Sequence, residues 1–253
     1  MGSGLTTKKC WGKSTWSTDR NDEILKRKNF ETTDQVTSCV TRTKLLPRNM
    51  IVIQQILVGF SKEEGPKTYA DGSVTLVKSD NFTILFDCAS PKNKSLLLQK
   101  LSDHGTTPES VTHLICSHGH SDHTGNMNLF ENAVVYLAND ILKPDGSYES
   151  HDFQKEEICN IVEIEDESLD VYLMATPGHT DHCLSLVVEN GDDITVVVGD
   201  LFENENDVLD SGLWRANSKY PESQELSREK VLEIADFIIP GHGKMFENSF
   251  ADN

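Results

Sequence analysis

The chain has 253 residues, of which 37% are hydrophobic and 25% charged, and its formal net charge is −18. The apolar share is enough for a packed core and excludes wholesale disorder, and the length allows one or two domains. The charge is unevenly placed: residues 1–48 carry +5 and residues 49–253 carry −23. A body that acidic repels polyanions on average, so nucleic-acid binding there needs metal ions or a local basic patch.

Residues 1–48 are polar, rich in Thr and Lys and weakly periodic, which reads as a flexible basic N-terminal arm. Met1-Gly2-Ser3-Gly4-Leu5-Thr6 fits the N-myristoylation pattern, which is short and often matched by chance. Gly12-Lys13-Ser14-Thr15 resembles the end of a phosphate-binding loop, but Thr7 stands where that loop needs glycine. No apolar leader opens the chain, and no run approaches the ~18 apolar residues of a membrane span. None of the six cysteines forms a Cys-x-x-Cys pair. The expectation is a cytoplasmic or nuclear protein with reduced thiols.

A single domain is expected over residues 49–253. Residues 51–58 are β-branched and predict a strand. Residues 74–77 and 82–86 predict two more, joined by a turn at Ser79-Asp80-Asn81. Pro91 suits a helix start, Leu97, Leu98 and Leu101 share one face, and Gly105 ends the helix. Residues 111–116 and 133–137 predict strands, and the polar stretch 139–157, with Pro144-Asp145-Gly146, predicts a loop. Further strands are expected at 158–164, 171–175, 184–188, 194–198 and 237–240, and a helix at 222–235. Two sheets with helices on their outer faces account for this order.

The chemistry sits at strand ends. The strand at 111–116 runs into Ser117-His118-Gly119-His120-Ser121-Asp122-His123, which holds three of the nine histidines and one aspartate. Imidazole nitrogens and carboxylate oxygens are what zinc and its first-row neighbours bind at neutral pH. His118 and His120 are two apart and project to one side of an extended segment, while Asp122 and His123 follow on the next turn. Three later strands end in Thr176-Pro177-Gly178-His179-Thr180, Val198-Gly199-Asp200 and Pro240-Gly241-His242-Gly243. Each is a weak motif alone. Four in order, each at a strand end and each with a glycine beside the ligand, form a strong one.

These residues resemble the metallo-β-lactamase superfamily, over a stretch from about Met50 to Phe246. The resemblance implies an αββα sandwich of α/β (α+β) class, with the metal site at one edge of the two sheets. It implies that His118, His120 and His179 hold one metal and Asp122, His123 and His242 the second. Asp200 would bridge them beside a hydroxide nucleophile, and Asp122 would also act in catalysis. Two zinc ions are expected, with iron or manganese as alternatives. Asp87-Cys88-Ala89 departs from the family's Asp-Thr-Gly, which leaves that turn's shape open; Asp87 is expected to support a ligand from behind.

The main class of true lactamases places cysteine where Asp200 stands. The large mRNA-cleaving nucleases insert a whole domain before the last histidine, and glyoxalase II adds a C-terminal helical region. Neither addition is expected here. The chain is closer to an animal endoribonuclease branch of the superfamily. The resemblance lies in Ala70-Asp71-Gly72-Ser73-Val74-Thr75-Leu76-Val77, the runs around His118, His179 and Asp200, and residues 228–243. The first of these stretches reads as a subfamily mark not needed for metal binding. That branch implies cleavage of histone pre-mRNA 3′ ends, single-stranded RNA as substrate, a homodimer, and a location in cytosol and nucleus. The competing expectation is a glyoxalase-II-like thioester or ester hydrolase acting on a small molecule. Of the other histidines, His104 reads as a helix cap, His113 as core or surface, and His151 and His182 as candidates to touch substrate. Cys183 reads as a small buried residue.

Overall fold

The computed structural model describes residues 51–155, 158–162 and 169–249. The expected arm at 1–48, its acylation pattern, and the second half of the strand expected at 158–164 lie outside or partly outside these residues.

Strands β1 (Val52–Leu57), β2 (Phe60–Glu64), β3 (Lys67–Asp71), β4 (Val74–Lys78) and β5 (Thr83–Phe86) come first. Helix α1 (Lys94–Asp103) leads to β6 (His113–Cys116), the single-turn helix α2 (Ser121–Thr124) and β7 (Val134–Leu137). Then come β8 (Asp140–Leu142), β9 (Tyr148–Ser150), β10 (Ile158–Asn160), β11 (Leu169–Ala175), β12 (Leu184–Asn190) and β13 (Asp193–Gly199). Helices α3 (Ser211–Arg215) and α4 (Pro221–Ile234) precede β14 (Phe237–Pro240) and β15 (Phe246–Glu247).

These strands form a seven-stranded sheet in the order β1-β4-β5-β6-β7-β8-β9, a six-stranded sheet β10-β11-β12-β13-β14-β15, and a separate hairpin β2-β3. Alternation along each strand builds the core. Val77, Ile84, Phe86, Ile115 and Tyr136 of the first sheet pack against Leu173, Leu186, Val197 and Ile239 of the second. The intervening Leu76, Leu85, Leu114 and Val135 face the other way and meet Leu97 and Leu101 of α1. On the second sheet the alternate residues Val187, Val196 and Ile238 are buried as well, as is Val231 of α4. Helices therefore cover the outer faces, as the strand and helix order predicts.

Three local outcomes differ from the sequence reading. The stretch read as a loop at 139–157 contains the β8–β9 hairpin, paired through Tyr136↔Ile141 and Ile141↔Glu149. Its outer strand β9 is fully exposed and polar in part, at the edge of the sheet, while Ile141 and Leu142 of β8 pack against the core. The β2–β3 hairpin carries no apolar alternation either and is absent from the sequence reading. Ala89 makes the turn left open by the missing glycine, at φ 57, a conformation that costs an L-residue roughly 1–2 kcal/mol.

Strand direction places the site. β5, β6 and β7 run parallel, and so do β13 and β14. Crossovers through α1 and α4 return the chain to start each strand at the far edge, so their carboxyl ends share one rim. A hydrogen bond of 2.9 Å from Leu184 N to Ser117 O joins the two sheets there.

Candidate metal centre

Each donor is fixed by the end of a strand. β6 delivers Ser117 and His118, and His120 is the N-cap of α2, which carries Asp122 and His123. β11 leads to His179, β13 to Asp200 and β14 to His242. All seven expected donors converge. His118, His120, His179 and Asp200 place one donor atom each within 4.8 Å of one another, and Asp122, His123 and His242 do the same.

Asp200 lies between the groups. Its Oδ2 is 3.6 Å from His118 Nε2 and 3.4 Å from His179 Nε2 in the first group, and 3.2 Å from His242 Nε2 in the second. Its Oδ1 is 3.1 Å from His123 Nε2. Five donors are buried, while His120 and Asp122 stand at the open side. His151 packs against Phe153 and the exposed His182 lies 3.4 Å from Gln154 Nε2; neither joins a donor group. His104 caps α1 through a 2.8 Å contact with Lys100 O, and His113 stacks on Tyr136, as expected of a cap and a strand residue.

The donor set fits metal ions. Atoms bound at ~2.1 Å to one tetrahedral ion lie roughly 3.4 Å apart. Neighbouring donors here are separated by 2.8 Å (His118 Nε2 to His120 Nδ1) to 3.9 Å (His242 Nε2 to Asp122 Oδ2). His123 Nε2 and Asp200 Oδ1 are buried and make no hydrogen bond, although buried polar atoms are almost always partnered. An ion held by the second group would give both a partner.

The surrounding shell aims the ligands. Asp87 Oδ2 accepts from His123 Nδ1 at 2.7 Å, and Asp71 O accepts from His242 Nδ1 at 3.0 Å, so both rings keep Nε2 for a metal. Ser117 donates to Asp87 through its backbone N (2.7 Å) and its Oγ (2.8 Å), and the same Oγ lies 3.0 Å from His118 Nδ1. Asp87 thus supports the site from behind, as expected.

The stretch Ala70 to Val77 reads in sequence as a subfamily mark not needed for metal binding, yet its Asp71-Gly72-Ser73 forms one wall of the site. Gly72 N donates to Asp122 O at 3.2 Å and Ser73 N to Gly241 O at 2.7 Å. A Cβ on Gly72 would come within 2.9 Å of the His123 ring, and one on Gly241 within 2.0 Å of Asp200 Oδ1. Gly241 is legible in sequence beside its ligand His242; the signal for Gly72 is only a glycine flanked by polar residues at a strand boundary, which many turns share. Gln224 and Arg228 were also missed as support. Gln224 Nε2 donates to Asp200 O and Leu201 O, each at 3.1 Å, and Arg228 Nη1 donates to Leu201 O at 2.7 Å.

Electrostatics divide the two groups. Burial pushes the His118 and His179 imidazoles down, so both stay neutral and ready to bind a cation. Burial also disfavours charge on His242, but Asp200, with its hydrogen bond, and Glu203 outweigh it and push His242 up to about 9. His123 behaves alike: burial is outweighed by Asp200 and Asp87, and it is raised well above its ordinary value. Burial works against ionised Asp200 too, yet the protonated His123 and His242 hold it well below the usual carboxylate range. Glu203, pushed up to about 7 by burial and by Asp200, lines the second group with its Oε2 3.9 Å from His242 Nε2.

With this geometry in place, kinship decides the family. A profile of the Metallo-beta-lactamase superfamily matches residues 69–242, which spans the site from the Asp71 wall to the last histidine. The chain belongs to the metallo-β-lactamase superfamily. It is 44% identical over 203 residues to metallo-beta-lactamase domain-containing protein 1 of Xenopus laevis, covering 79% of this chain and 83% of that one. It is 33% identical over 238 residues to the Homo sapiens protein of that name, with 82% and 86% covered. The fold also matches an N-acyl homoserine lactone hydrolase with its product at the catalytic metal centre: TM-score 0.53, 17% identity, 77% of this chain and 92% of that one. At that identity the likeness concerns the fold alone. Among the described residues no helix is long and apolar enough to cross a membrane.

Proposed function

We propose that this superfamily member is a two-metal, zinc-dependent hydrolase that cleaves phosphodiester bonds of single-stranded RNA. The observation that carries the hydrolase reading is Asp200, whose two carboxylate oxygens reach nitrogens of both donor groups at 3.1–3.6 Å. His118, His120 and His179 would hold one ion, Asp122, His123 and His242 the other, with Asp200 between them. Such a pair supplies an activated water and polarises the bond to be cleaved. The resemblance to an animal endoribonuclease branch extends the substrate reading to histone pre-mRNA 3′ ends, and with it a homodimer in cytosol and nucleus.

The protein's own groups do the rest. Asp87 and the Asp71 carbonyl fix the His123 and His242 rings, so the donors are oriented before substrate arrives. Asp122, with a fifth of its side chain exposed, is the carboxylate open to substrate and to proton exchange. Glu203 is buried beside the second group, its Oε2 3.9 Å from His242 Nε2, where it adds negative charge behind that ligand. A small thioester or ester is the second reading, favoured by the −23 charge of residues 49–253, which an RNA strand must overcome.

The deciding measurement is turnover of a single-stranded RNA beside a thioester and lactone panel, with His118→Ala as control. RNA cleavage lost in that variant supports the proposal; thioester turnover without RNA cleavage sinks the substrate reading. Purified protein is expected to hold about two metals per chain. Asp200→Ala is expected to abolish turnover and lower that count, and retained turnover would remove Asp200 from its bridging role.

A further inference from the structure

The β2–β3 hairpin begins and ends at the site, and one of its faces differs from the rest of the acidic body. Register pairs Phe60 with Asp71, Lys62 with Tyr69 and Glu64 with Lys67. Directly opposed residues, and residues two apart, share a face. One face therefore carries Phe60, Lys62, Glu64, Lys67, Tyr69 and, at its inner end, Asp71. The rings are exposed, Phe60 at 42% and Tyr69 at 40%. Lys92, from the segment after Ser90, places Nζ 6.0 Å from the Phe60 ring centroid, and Lys62 Nζ lies 5.6 Å from that of Tyr69. The inner end is anchored: Asp71 Oδ1 accepts from Ser90 N and Oγ at 2.9 and 2.8 Å, while Asp71 O holds His242. Two aromatic faces and three lysines thus start at the wall of the metal centre and lead away from it. Of the two acids there, Glu64 is paired with Lys62 at 2.6 Å, and Asp71 is buried with its carboxylate turned to Ser90.

We infer that this face is where a single-stranded nucleic acid lies as it enters the centre, its bases stacked on Phe60 and Tyr69 and its phosphates beside Lys62, Lys67 and Lys92. The inference rests on the RNA reading above and deepens it. Stacking on aromatic rings beside cations is how single strands are held without regard to sequence. Charge complementarity selects this occupant. A body at −23 repels a polyanion, so a strand that reaches the centre must come along a locally basic track. An acyl chain would instead have to strip water from the lysines that flank both rings.

The test is steady-state cleavage of a fluorescein-labelled oligouridine RNA of about twelve nucleotides, roughly the length a single-strand groove of this kind covers. The variants are Phe60→Ala/Tyr69→Ala and Lys62→Glu/Lys92→Glu, with Tyr148→Ala, exposed on β9, as control. Each double variant is expected to raise KM about tenfold or more with a far smaller change in kcat, and the KM effect of the lysine pair should shrink as salt rises. Tyr148→Ala is expected to behave as wild type. Wild-type KM in both double variants overturns the inference while leaving the RNA reading intact. Wild-type protein that hydrolyses bis(4-nitrophenyl) phosphate but neither binds nor cleaves RNA overturns both. A drop in oligomeric mass of the aromatic variant marks the face as a contact between copies of the chain and likewise overturns it.

Discussion

At the scale of single residues, the ligands are only as good as what stands behind them. Gly72 shows this most directly, because it touches no metal position yet packs against Asp122 O and the His123 ring. Gly72→Ala is expected to displace the second group, so metal analysis should fall from about two ions per chain toward one while the far-ultraviolet circular dichroism is kept. Two ions retained would show that the loop yields without cost. Protonation gives a second prediction. Asp200 and Glu203 raise His242 to about 9 in the metal-free protein, so at pH 7 the ring carries a proton that a metal must displace. Metal uptake at pH 7 should therefore release protons, fewer as the pH rises through 9, and apparent affinity should grow over the same range. Calorimetry in buffers of different ionisation enthalpy reads this; uptake without proton release at pH 7 would contradict it.

At the scale of elements, α4 does more than cover the second sheet. Arg228 is buried between the Phe202 and Trp214 rings, 3.8 and 4.8 Å from their centroids. Its Nη2 donates to Asp207 O at 2.8 Å and to Asp207 Oδ1 at 2.9 Å, while Asp207 Oδ2 accepts from Glu203 N at 2.6 Å. The helix thereby grips the segment that follows Asp200. Arg228→Met leaves Asp207 charged and unpaired in the interior, and a loss of about 3–5 kcal/mol is expected in denaturant unfolding. A loss within about 0.5 kcal/mol, the range of an ordinary surface change, would mean that the pair is not what holds the segment. The elements themselves were unevenly legible. Strands β4, β5, β6, β12 and β13 were readable because their apolar residues fill both faces of a buried strand. The β2–β3 and β8–β9 hairpins were not: every residue of β2 and β9 is exposed, and β8 offers only Ile141 and Leu142 to the core, too few for a period to show. Their backbone pairing is invisible in residue type.

At the scale of the whole molecule, β6, β11, β13 and β14 bring four separate stretches of donor residues to one rim, each of them ending a strand whose core residues are apolar. Residue type alone says which side chains offer metal chemistry, and roughly where each strand stops, because His, Asp and Gly at the end of an apolar run carry that information locally. Composition alone likewise sets the imbalance between residues 1–48 at +5 and residues 49–253 at −23. Tertiary structure decided the relations. It set Asp200 between two donor groups, turned Asp71 and Gly72 from a family signature into a wall of the site, and brought Lys92 over Phe60. Those relations join residues that lie from about thirty to more than a hundred positions apart. They follow from strand direction and register, which the backbone hydrogen bonds set between segments and which no single segment encodes.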